Sequence, residues 1–537
     1  MQNQPTNAYV NPTNSVFKFL SYYFDKKTRV ATFSYQGIDN IIFTEKIVFA
    51  EHPEAKQGKH FNALDDPTLD KLLDRALFLA FVLIGTSYYK AHPTPNVHLT
   101  QKIDAFQAGF FNKVFQEGLS QYAFENGLTR SHLAHFTPSM TENPERAISY
   151  RGDGIISLQS GGKDSLLVAT LLREVGVDFV PWYVSSDANG AHPVVIDRIF
   201  PQLNAKNASV VVRQIDQLHL QQSGGLNGHV PVTYINEALA LVQAILNNQN
   251  VVVTSIGQEG AEPHSYIGDL PVNHQWSKTW EAEVLLAEYV KRYISEDIKI
   301  GSPIRKYSEL RISELFIHKC WQKYGYQFSS CNQANYKQGI NNGRLTWCGN
   351  CAKCANTYLL FCPFLAPHVL QSLFSDTDLF LKPTLTETFK GLLGIDNVPK
   401  PFECVGSFDE LRFAYQRRLK VPPIYIEPNS GVSRNYQKET LNANLVQASA
   451  RLGMNKFYHS ADAQVRKITS EQPQMPVVKQ EYDKNGKPLP LKLPEGWWQP
   501  LYSDLPFMVP PSQFDYTKEY ESQEYFKNFF EDHKTKA

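Results

Sequence analysis

A short loop near position 160 carries residue types that suit the binding of phosphate groups. Its residues are Ser160, Gly161, Gly162, Lys163, Asp164 and Ser165. The paired glycines let the backbone turn sharply and bring bare N–H groups against phosphate oxygens. The serines offer hydroxyl donors, the lysine a positive charge, and the aspartate either a magnesium ligand or a helix cap. These residue types predict a phosphate-binding loop. It is not a Walker A loop, because the Walker A spacing is absent.

A second group of chemically capable residues is a run of cysteines. Cys348, Cys351 and Cys354 follow the pattern Cys-x-x-Cys-x-x-Cys, and Cys331 upstream supplies a fourth thiolate. Four sulfur ligands satisfy tetrahedral zinc and leave no open position, so the pattern predicts a structural zinc site. The alternative is an iron–sulfur cluster held by the same thiolates. The other three cysteines are expected to pack in the apolar core: Cys320, Cys362 and Cys404.

The elements around the loop predict an α/β sheet. Residues 154–158 form a short apolar run before the glycine turn, and residues 165–175 are typical of a helix ending at Gly176. Further buried strands are predicted at 179–184, 209–215 and 251–256, with a helix at 234–246. Strands that alternate with helices indicate a doubly wound parallel sheet, whose ligands bind beyond the carboxyl ends of the strands.

The sequence divides into four predicted regions. Residues 15–50 are rich in strand-forming residues and residues 68–127 are helical, so residues 1–150 are predicted to form a mixed α+β N-terminal domain. The remaining regions are an ATP-binding domain (151–300), a zinc-bound helical segment (301–430) and a C-terminal extension (431–537) of unassigned role.

Composition limits the partners of the chain. Of its 537 residues, 42% are apolar and 20% charged, and the 53 basic and 53 acidic residues cancel. We therefore expect neither a nucleic-acid nor a membrane partner. The first five residues are polar, unlike a secretory signal. The apolar run at 76–84 is too short for a membrane span, so we predict a buried helix there. We expect a cytoplasmic protein.

The loop resembles a known signature. Its pattern Ser-Gly-Gly-x-Asp-Ser resembles that of the PP-loop ATP pyrophosphatases, which activate a carboxylate or carbonyl oxygen by adenylation. The resemblance implies that ATP and Mg²⁺ bind here. In the resembled fold, Val184 and Ser185 lie near adenine and ribose, and Gly257 and Glu259 follow a later strand that faces the same crevice. Glu259 either holds magnesium or is simply solvated.

A closer resemblance covers about residues 15–415. The chain resembles the UDP-N-acetylmuramoyl-L-alanyl-L-glutamate epimerase (MurL) family. The passages that carry it are 85–90, 160–165, 272–278, 302–310, the cysteine run and 401–406. The resemblance implies ATP-dependent epimerisation of the terminal L-glutamate of UDP-MurNAc-L-Ala-L-Glu, a UDP-activated muropeptide, through an acyl-adenylate. AMP and pyrophosphate would be released, in peptidoglycan precursor synthesis.

Several residues are candidates for proton transfer and substrate binding. His264, His274 and Lys278 lie in the polar stretch after the Glu259 loop and are the catalytic candidates. Arg305, or Lys278 itself, is a candidate clamp for a carboxylate or diphosphate. The remaining substrate-binding candidates are Tyr88, Tyr89 and Lys90. The alternative for those three is that they are helix-end residues packed at a domain interface.

Two other functions remain open at this point. A PP-loop enzyme can adenylate a nucleobase or carboxylate for amidation or thiolation, as in enzymes similar to 7-cyano-7-deazaguanine synthase or in tRNA-modifying enzymes. The neutral chain argues mildly against tRNA. A non-catalytic nucleotide-binding module is the other alternative, and the intact phosphate loop argues against it.

Overall fold

The computed structural model describes most of the first 415 residues. The described ranges are 15–50, 67–141, 147–174, 178–185, 199, 203, 208–257, 263–305, 307–334, 345–394, 397–408, 410–411 and 414–415. Gly176, Glu259 and the whole of the predicted extension 431–537 lie outside the described residues.

The described strands form one large sheet and one small hairpin. The large sheet contains β1 (Phe17–Asp25), β2 (Val30–Gln36), β3 (Ile42–Val48), β4 (Val97–Leu99), β5 (Ile155–Leu158), β6 (Val180–Ser185), β7 (Ser209–Gln214), β8 (Val251–Val253) and β11 (Lys299–Gly301). Their order across the sheet is β11-β8-β5-β6-β7-β3-β2-β1-β4. The hairpin pairs β9 (Ser265–Ile267) with β10 (Leu270–Val272).

The sheet is mixed, which extends the sequence prediction. β11, β8, β5, β6 and β7 are parallel, and their order is that of a doubly wound fold in which β5 lies at the centre. This confirms an α/β architecture. However, β3 pairs antiparallel with β7, so the N-terminal strands continue the same sheet instead of forming a sheet of their own. Since an edge strand leaves backbone groups unpaired, this pairing satisfies the edge of β7.

The described ranges contain eleven α-helices. They are α1 (Pro67–Tyr89), α2 (Ala105–Gln116), α3 (Ser120–Glu125), α4 (Lys163–Glu174), α5 (Gln217–Gln222), α6 (Val232–Leu246), α7 (Trp280–Tyr293), α8 (Glu309–Tyr324), α9 (Ala352–Phe361), α10 (Pro367–Ser372) and α11 (Thr386–Leu393). The predicted helices at 165–175 and 234–246 correspond closely to α4 and α6.

Helix α1 is a core element. It is the one helix in the described part of the chain whose length and apolar character would suit a membrane span, but it is mostly buried inside the protein. It packs against α6 and against strands β1 and β2. The apolar run at 76–84 is fully enclosed there, which confirms the prediction of a buried helix.

Two apolar cores lie on either side of the sheet. The first joins β1–β3 to α1, α2, α6 and α7. The second gathers α4, α8, α9 and α11 around the cysteine-bearing segment. Cys320 and Cys362 belong to this second core and are 0% and 4% exposed, as the sequence predicts.

A buried ion pair fixes the junction between the antiparallel and parallel strands. Arg213 on β7 donates from Nε to Glu45 Oε1 at 2.6 Å and from Nη2 to Ser87 Oγ at 2.8 Å. The Tyr88 hydroxyl donates to Glu45 Oε2 at 2.7 Å and accepts from the Asp216 backbone N–H at 3.1 Å. Burial, and then the negative charge of Glu45, raises the pKa of Tyr88 well above its usual range, so this phenol stays neutral.

Breaking this junction is expected to destabilise the fold. An Arg213→Met variant leaves the Glu45 carboxylate buried without its cation, and we expect the free energy of unfolding to fall by about 3–5 kcal/mol. Urea unfolding followed by circular dichroism measures this change. Lys46 is exposed on the same strand as Glu45, so Lys46→Met is the matched control. Equal stability of the two variants would contradict a structural role for the pair.

Candidate functional site

The phosphate loop closes on itself through its two serines. Ser165 Oγ accepts from the Ser160 backbone N–H at 3.4 Å and donates to the Gly162 carbonyl at 3.1 Å. Gly161 has a φ of 76°, in the left-handed region that favours glycine. Helix α4 begins at Lys163, so the loop presents the N-terminal end of a helix at the carboxyl end of β5. Helix N-termini of this kind bind anions.

Lys163 is held between two carboxylates at this helix end. Its Nζ lies 2.7 Å from Asp164 Oδ1 and 2.6 Å from Glu309 Oε2. Burial acts to lower the pKa of Lys163, but the charges of Asp164 and Glu309 outweigh it and raise the pKa above its ordinary value. The ammonium therefore persists, and the trio carries one carboxylate in excess. Carboxylate oxygens are ligands that Mg²⁺ prefers, so these residues could hold that ion.

Three further predicted nucleotide-binding residues lie at the same edge of the sheet: Val184, Ser185 and Gly257. Val184 and Ser185 end β6, which is hydrogen-bonded to β5. Gly257 follows β8 on the opposite side of β5. Because β5 lies between β6 and β8, the loop stands at the point where the direction of strand order reverses, which is where ligands of doubly wound sheets bind.

A buried arginine ties this edge to the following elements. Arg305 Nη1 donates to the Gly257 carbonyl at 2.7 Å and to the Lys278 carbonyl at 2.8 Å, and Nη2 donates to Glu283 Oε2 at 2.6 Å. Glycine is needed at 257, since a Cβ there would lie 2.8 Å from the backbone carbonyl oxygen of Tyr307. With its guanidinium engaged in this way and only 4% exposed, Arg305 acts as an internal clamp in this structure.

The four predicted metal ligands come together. The sulfur atoms of Cys331, Cys348, Cys351 and Cys354 all lie within 4.8 Å of one another, and four of their separations are 3.6–3.9 Å. Tetrahedral bonds of about 2.3 Å to a single ion place sulfurs about 3.8 Å apart, so the group fits zinc. In a four-iron cluster each thiolate binds a different iron atom and the sulfurs stand farther apart. The geometry therefore favours a single ion.

The cysteine group adjoins the phosphate loop on one side and residues 401–406 on the other. The Ser329 backbone N–H, two residues before Cys331, donates to the Gly161 carbonyl at 3.2 Å. Asn356 Oδ1, on the helix that contains Cys354, accepts from the Gly406 backbone N–H at 3.1 Å. The predicted metal-ligating segment is therefore hydrogen-bonded to both neighbours, so loosening of this segment would also loosen them.

His274 is held in place as a neutral imidazole. Gln121 donates from Nε2 to Glu125 Oε1 at 2.6 Å, which turns its Oε1 toward His274 Nδ1 at 2.6 Å. Nδ1 must then carry the proton, and Nε2 keeps its lone pair, 3.9 Å from Glu403 Oε2. Burial, and then the proximity of His229, lowers the pKa of His274 strongly, so the ring is neutral.

Other reactive groups surround His274. The His229 ring lies 4.8 Å from the His274 ring, and His264 stacks on Phe402 at 5.2 Å. Burial, with nearby lysine charges adding to it, lowers the pKa of His229 and of His264 to about 4 each. Lys278 Nζ donates to Cys404 Sγ at 3.4 Å. We call His229, His264, His274, Lys278 and Cys404 the histidine cluster; it contains all three predicted catalytic candidates.

The predicted substrate-binding residues of the N-terminal region have different surroundings. Tyr88 and Tyr89 are 1% and 0% exposed, and their hydroxyls are hydrogen-bonded inside the core. Their burial favours the alternative of packed helix-end residues. Lys90 Nζ donates to Asn227 Oδ1 at 2.6 Å and to the Gly228 carbonyl at 3.3 Å, which places it beside the histidine cluster.

Sequence reasoning missed two members of the cluster. Cys404 was expected in the apolar core, but this expectation is wrong: the residue is partly exposed and hydrogen-bonded to Lys278. His229 was not singled out at all. The passage 401–406 was the available signal for Cys404, and the glycine-rich loop at 223–228 was the signal for His229.

Comparison with known proteins decides the family. The sequence matches the MurL N-terminal domain over residues 9–302 and the MurL C-terminal domain over residues 327–424. It is 31% identical over 404 residues to a protein of Xanthomonas oryzae pv. oryzae, with 74% of this chain and 85% of that protein covered. The chain belongs to the MurL family.

Two further relatives agree. A protein of a Micromonospora species is 32% identical over 412 residues, covering 73% of this chain and 84% of its own length. One from Salinispora tropica is 30% identical over 401 residues, covering 73% and 82%. All three relatives are named UDP-N-acetyl-alpha-D-muramoyl-L-alanyl-L-glutamate epimerase.

The two MurL domains meet at the candidate site. The N-terminal domain supplies the phosphate loop, the Gly257 turn and all three histidines. The C-terminal domain supplies the cysteine group and Cys404. Phe402 of the second domain contacts Phe124 of the first, with ring centroids 5.5 Å apart.

Loss of the metal ligands is expected to loosen both neighbours of the cysteine group. A structural zinc site contributes on the order of 10 kcal/mol to local folding. For Cys351→Ser, we expect faster amide exchange in residues 160–165 and 401–406, measured by hydrogen–deuterium exchange with mass spectrometry, together with loss of bound metal. Cys362→Ser, at a core cysteine outside the group, is the matched control. Unchanged exchange in both segments of the Cys351→Ser variant would contradict the support role.

Proposed function

We propose that this protein inverts the terminal L-glutamate of UDP-MurNAc-L-Ala-L-Glu, with ATP converted to AMP and pyrophosphate. Membership of the MurL family and the names of three relatives support the epimerase reaction and its substrate. The phosphate loop supports the use of ATP in the manner of PP-loop ATP pyrophosphatases. On this proposal the enzyme is an isomerase of peptidoglycan precursor synthesis.

The observation that carries the proposal is a continuous path of contacts from the phosphate loop to the histidine cluster. Lys163 pairs with Glu309, whose Oε1 lies 3.6 Å from the position of a Cβ at Gly257. The Gly257 carbonyl binds Arg305, and Arg305 binds the Lys278 carbonyl. This path supports the proposal that a nucleotide on the loop and a peptide at the cluster occupy one site.

The chemistry explains why an epimerase would need ATP. A proton next to an ionised carboxylate is very hard to remove, because its loss would place a second negative charge beside the first. Adenylation neutralises the carboxylate as a mixed anhydride. The α-proton can then leave to give an enolate, which is protonated on the opposite face before the anhydride is hydrolysed. Donors beside the enolate oxygen stabilise the charge as it develops.

Particular residues would perform each part. Ser160–Ser165 would hold the triphosphate, and Asp164 and Glu309 would hold Mg²⁺, which supplies charge neutralisation for the departing pyrophosphate. Val184, Ser185 and Gly257 would border the nucleoside. The proposed magnesium role of Glu259 stays a prediction, since that residue lies outside the described ranges.

The histidine cluster would handle the proton. His274 presents an unprotonated Nε2 and is the proposed base. Lys278 carries a positive charge that favours the enolate. His264 is neutral and shapes the pocket through Phe402. Arg305 would serve by fixing the Lys278 turn in place. The cysteine group would hold structural zinc and support the loop.

The setting of the reaction follows from its substrates. ATP and a UDP-linked precursor are small molecules, so we propose a cytoplasmic enzyme whose partner is the UDP-activated muropeptide, with no nucleic acid or membrane involved. The balanced charge of the chain supports this expectation.

The direct test combines protein, ATP, magnesium and UDP-MurNAc-L-Ala-L-Glu in deuterated water. We expect deuterium at the glutamate α-carbon and D-glutamyl product to appear together with AMP. Mass spectrometry and chiral analysis of the glutamate measure both. AMP without α-deuterium would contradict the epimerase and favour a PP-loop enzyme that amidates or thiolates an adenylated substrate.

The phosphate loop has its own test. In the Lys163→Ala variant, Asp164 and Glu309 lose their cation, and the triphosphate loses a neighbouring positive charge. We therefore expect the rate of AMP release to fall by about 10²–10³-fold, the loss typical of removing a donor that stabilises developing charge. A coupled AMP assay measures the rate. Lys102 is exposed and far along the chain from the loop, so Lys102→Ala is the control. Full AMP release by Lys163→Ala would exclude the assigned role.

A further inference from the structure

We propose that Cys404 is a catalytic residue, whose thiol protonates the substrate's α-carbon on the face opposite to His274. This inference rests on the proposed epimerase function and deepens it. Inversion of a carbon centre whose planar intermediate stays fixed in the site uses two groups, one to take a proton from one face and one to give a proton to the other. His274 meets the first requirement, and the structure offers Cys404 for the second.

Cys404 differs from the other six cysteines of the chain. Cys320 and Cys362 are enclosed in the second core, and four others form the metal-ligating group. Cys404 alone among the described cysteines is both outside these sets and partly exposed. Its Sγ lies 3.4 Å from Lys278 Nζ. A neighbouring ammonium stabilises a thiolate, so it makes the thiol a better proton donor.

The backbone around Cys404 is fixed against the cluster. Phe402 stacks on His264, and Glu403 Oε2 lies 3.9 Å from His274 Nε2. Two residues beyond Cys404, the Gly406 N–H is bound by Asn356. Residues on both sides of Cys404 therefore hold it in position. Such positioning is needed in an acid that protonates one face of a planar intermediate.

Two buried polar atoms near Lys278 indicate that this place receives a ligand. His229 Nε2 and Ser277 Oγ have no hydrogen-bond partner within the described part of the chain, although both atoms are buried. Ser277 is 2% exposed and adjoins Lys278, and the His229 ring is 4.8 Å from that of His274. Buried polar groups are normally paired, so a polar ligand such as the glutamyl carbonyl would satisfy them.

The proton and electron balance is complete. The α C–H bond breaks, its proton goes to His274 Nε2, and its electron pair moves to the carbonyl oxygen of the adenylated glutamate. When the enolate collapses, the α-carbon takes the proton of Cys404. The S–H electron pair stays on sulfur as a thiolate beside the Lys278 ammonium. Proton exchange of the imidazolium and the thiolate with water restores both groups, and the reverse sequence converts the D-epimer to the L-epimer.

The surrounding positive charges stabilise the two anions of this sequence, the enolate and the thiolate, and oppose the charging of His274. Lys278, Lys353 and Lys400 act on the histidines from separate parts of the chain, and Lys90 acts on His229. The negative group facing His274 is Glu403. The excess of positive charge stabilises both the enolate and the thiolate, each of which carries a negative charge only during the reaction.

The test separates proton exchange from inversion. Cys404→Ala and Cys404→Ser are incubated in deuterated water with ATP, magnesium and either the L- or the D-glutamyl substrate. We expect conversion of one epimer to the other to fall by about 10²–10⁴-fold, the contribution typical of a positioned acid. AMP release should persist, and only the epimer whose α-proton faces His274 should still gain deuterium, without inversion.

Matched variants make the outcome specific. His274→Gln should retain exchange from the opposite epimer only, and Cys362→Ala should behave as wild type. Inversion at the wild-type rate by either Cys404 variant overturns the proposal. Equal loss of exchange from both epimers by a folded Cys404→Ser variant also overturns it, since a merely structural role would lower both. Absence of AMP release from the wild type would instead reject the proposed function itself.

Discussion

The site depends on one buried guanidinium. Arg305 bonds the carbonyl of Gly257, at the edge of the sheet where the phosphate loop lies, and the carbonyl of Lys278, at the start of the histidine cluster. Glu283 neutralises it at 2.6 Å. A planar group with several fixed donors can hold two backbone segments at a set distance, which a lysine could not do. Arg305 therefore sets the spacing between the Gly257 turn and the Lys278 turn, and so between the proposed nucleotide and peptide sites.

The C-terminal domain completes this arrangement from the other side. Its cysteine group holds Ser329 against the phosphate loop, and its helix α9 holds the segment that contains Cys404. Without the C-terminal domain, the sheet and its helices would still form the proposed nucleotide-binding edge, but the proposed proton-transfer site would lack Cys404. Two sequence regions more than a hundred residues apart meet at His274 and Glu403, where the side chains lie 3.9 Å apart.

The sequence predicted the parts of the site whose chemistry is local. The phosphate loop and the metal ligands are short patterns, and each element near them lies close to its predicted position. Contacts between residues far apart in the sequence could not be predicted from local patterns. Nothing local to β3 indicates that it pairs with β7, and nothing local to Cys404 indicates Lys278 as its neighbour. Tyr88 is a further example, because its hydroxyl is satisfied by Glu45, a residue 43 positions away.

If the carboxylate next to the inverted carbon is adenylated at the phosphate loop, one of its oxygens must leave with AMP. A substrate with ¹⁸O at both oxygens of the glutamyl α-carboxylate tests this adenylation, since water attack on the anhydride carbonyl leaves one carboxylate oxygen on phosphorus. We predict one ¹⁸O atom in each AMP released, measured by mass spectrometry. AMP whose new oxygen comes entirely from water would contradict this route.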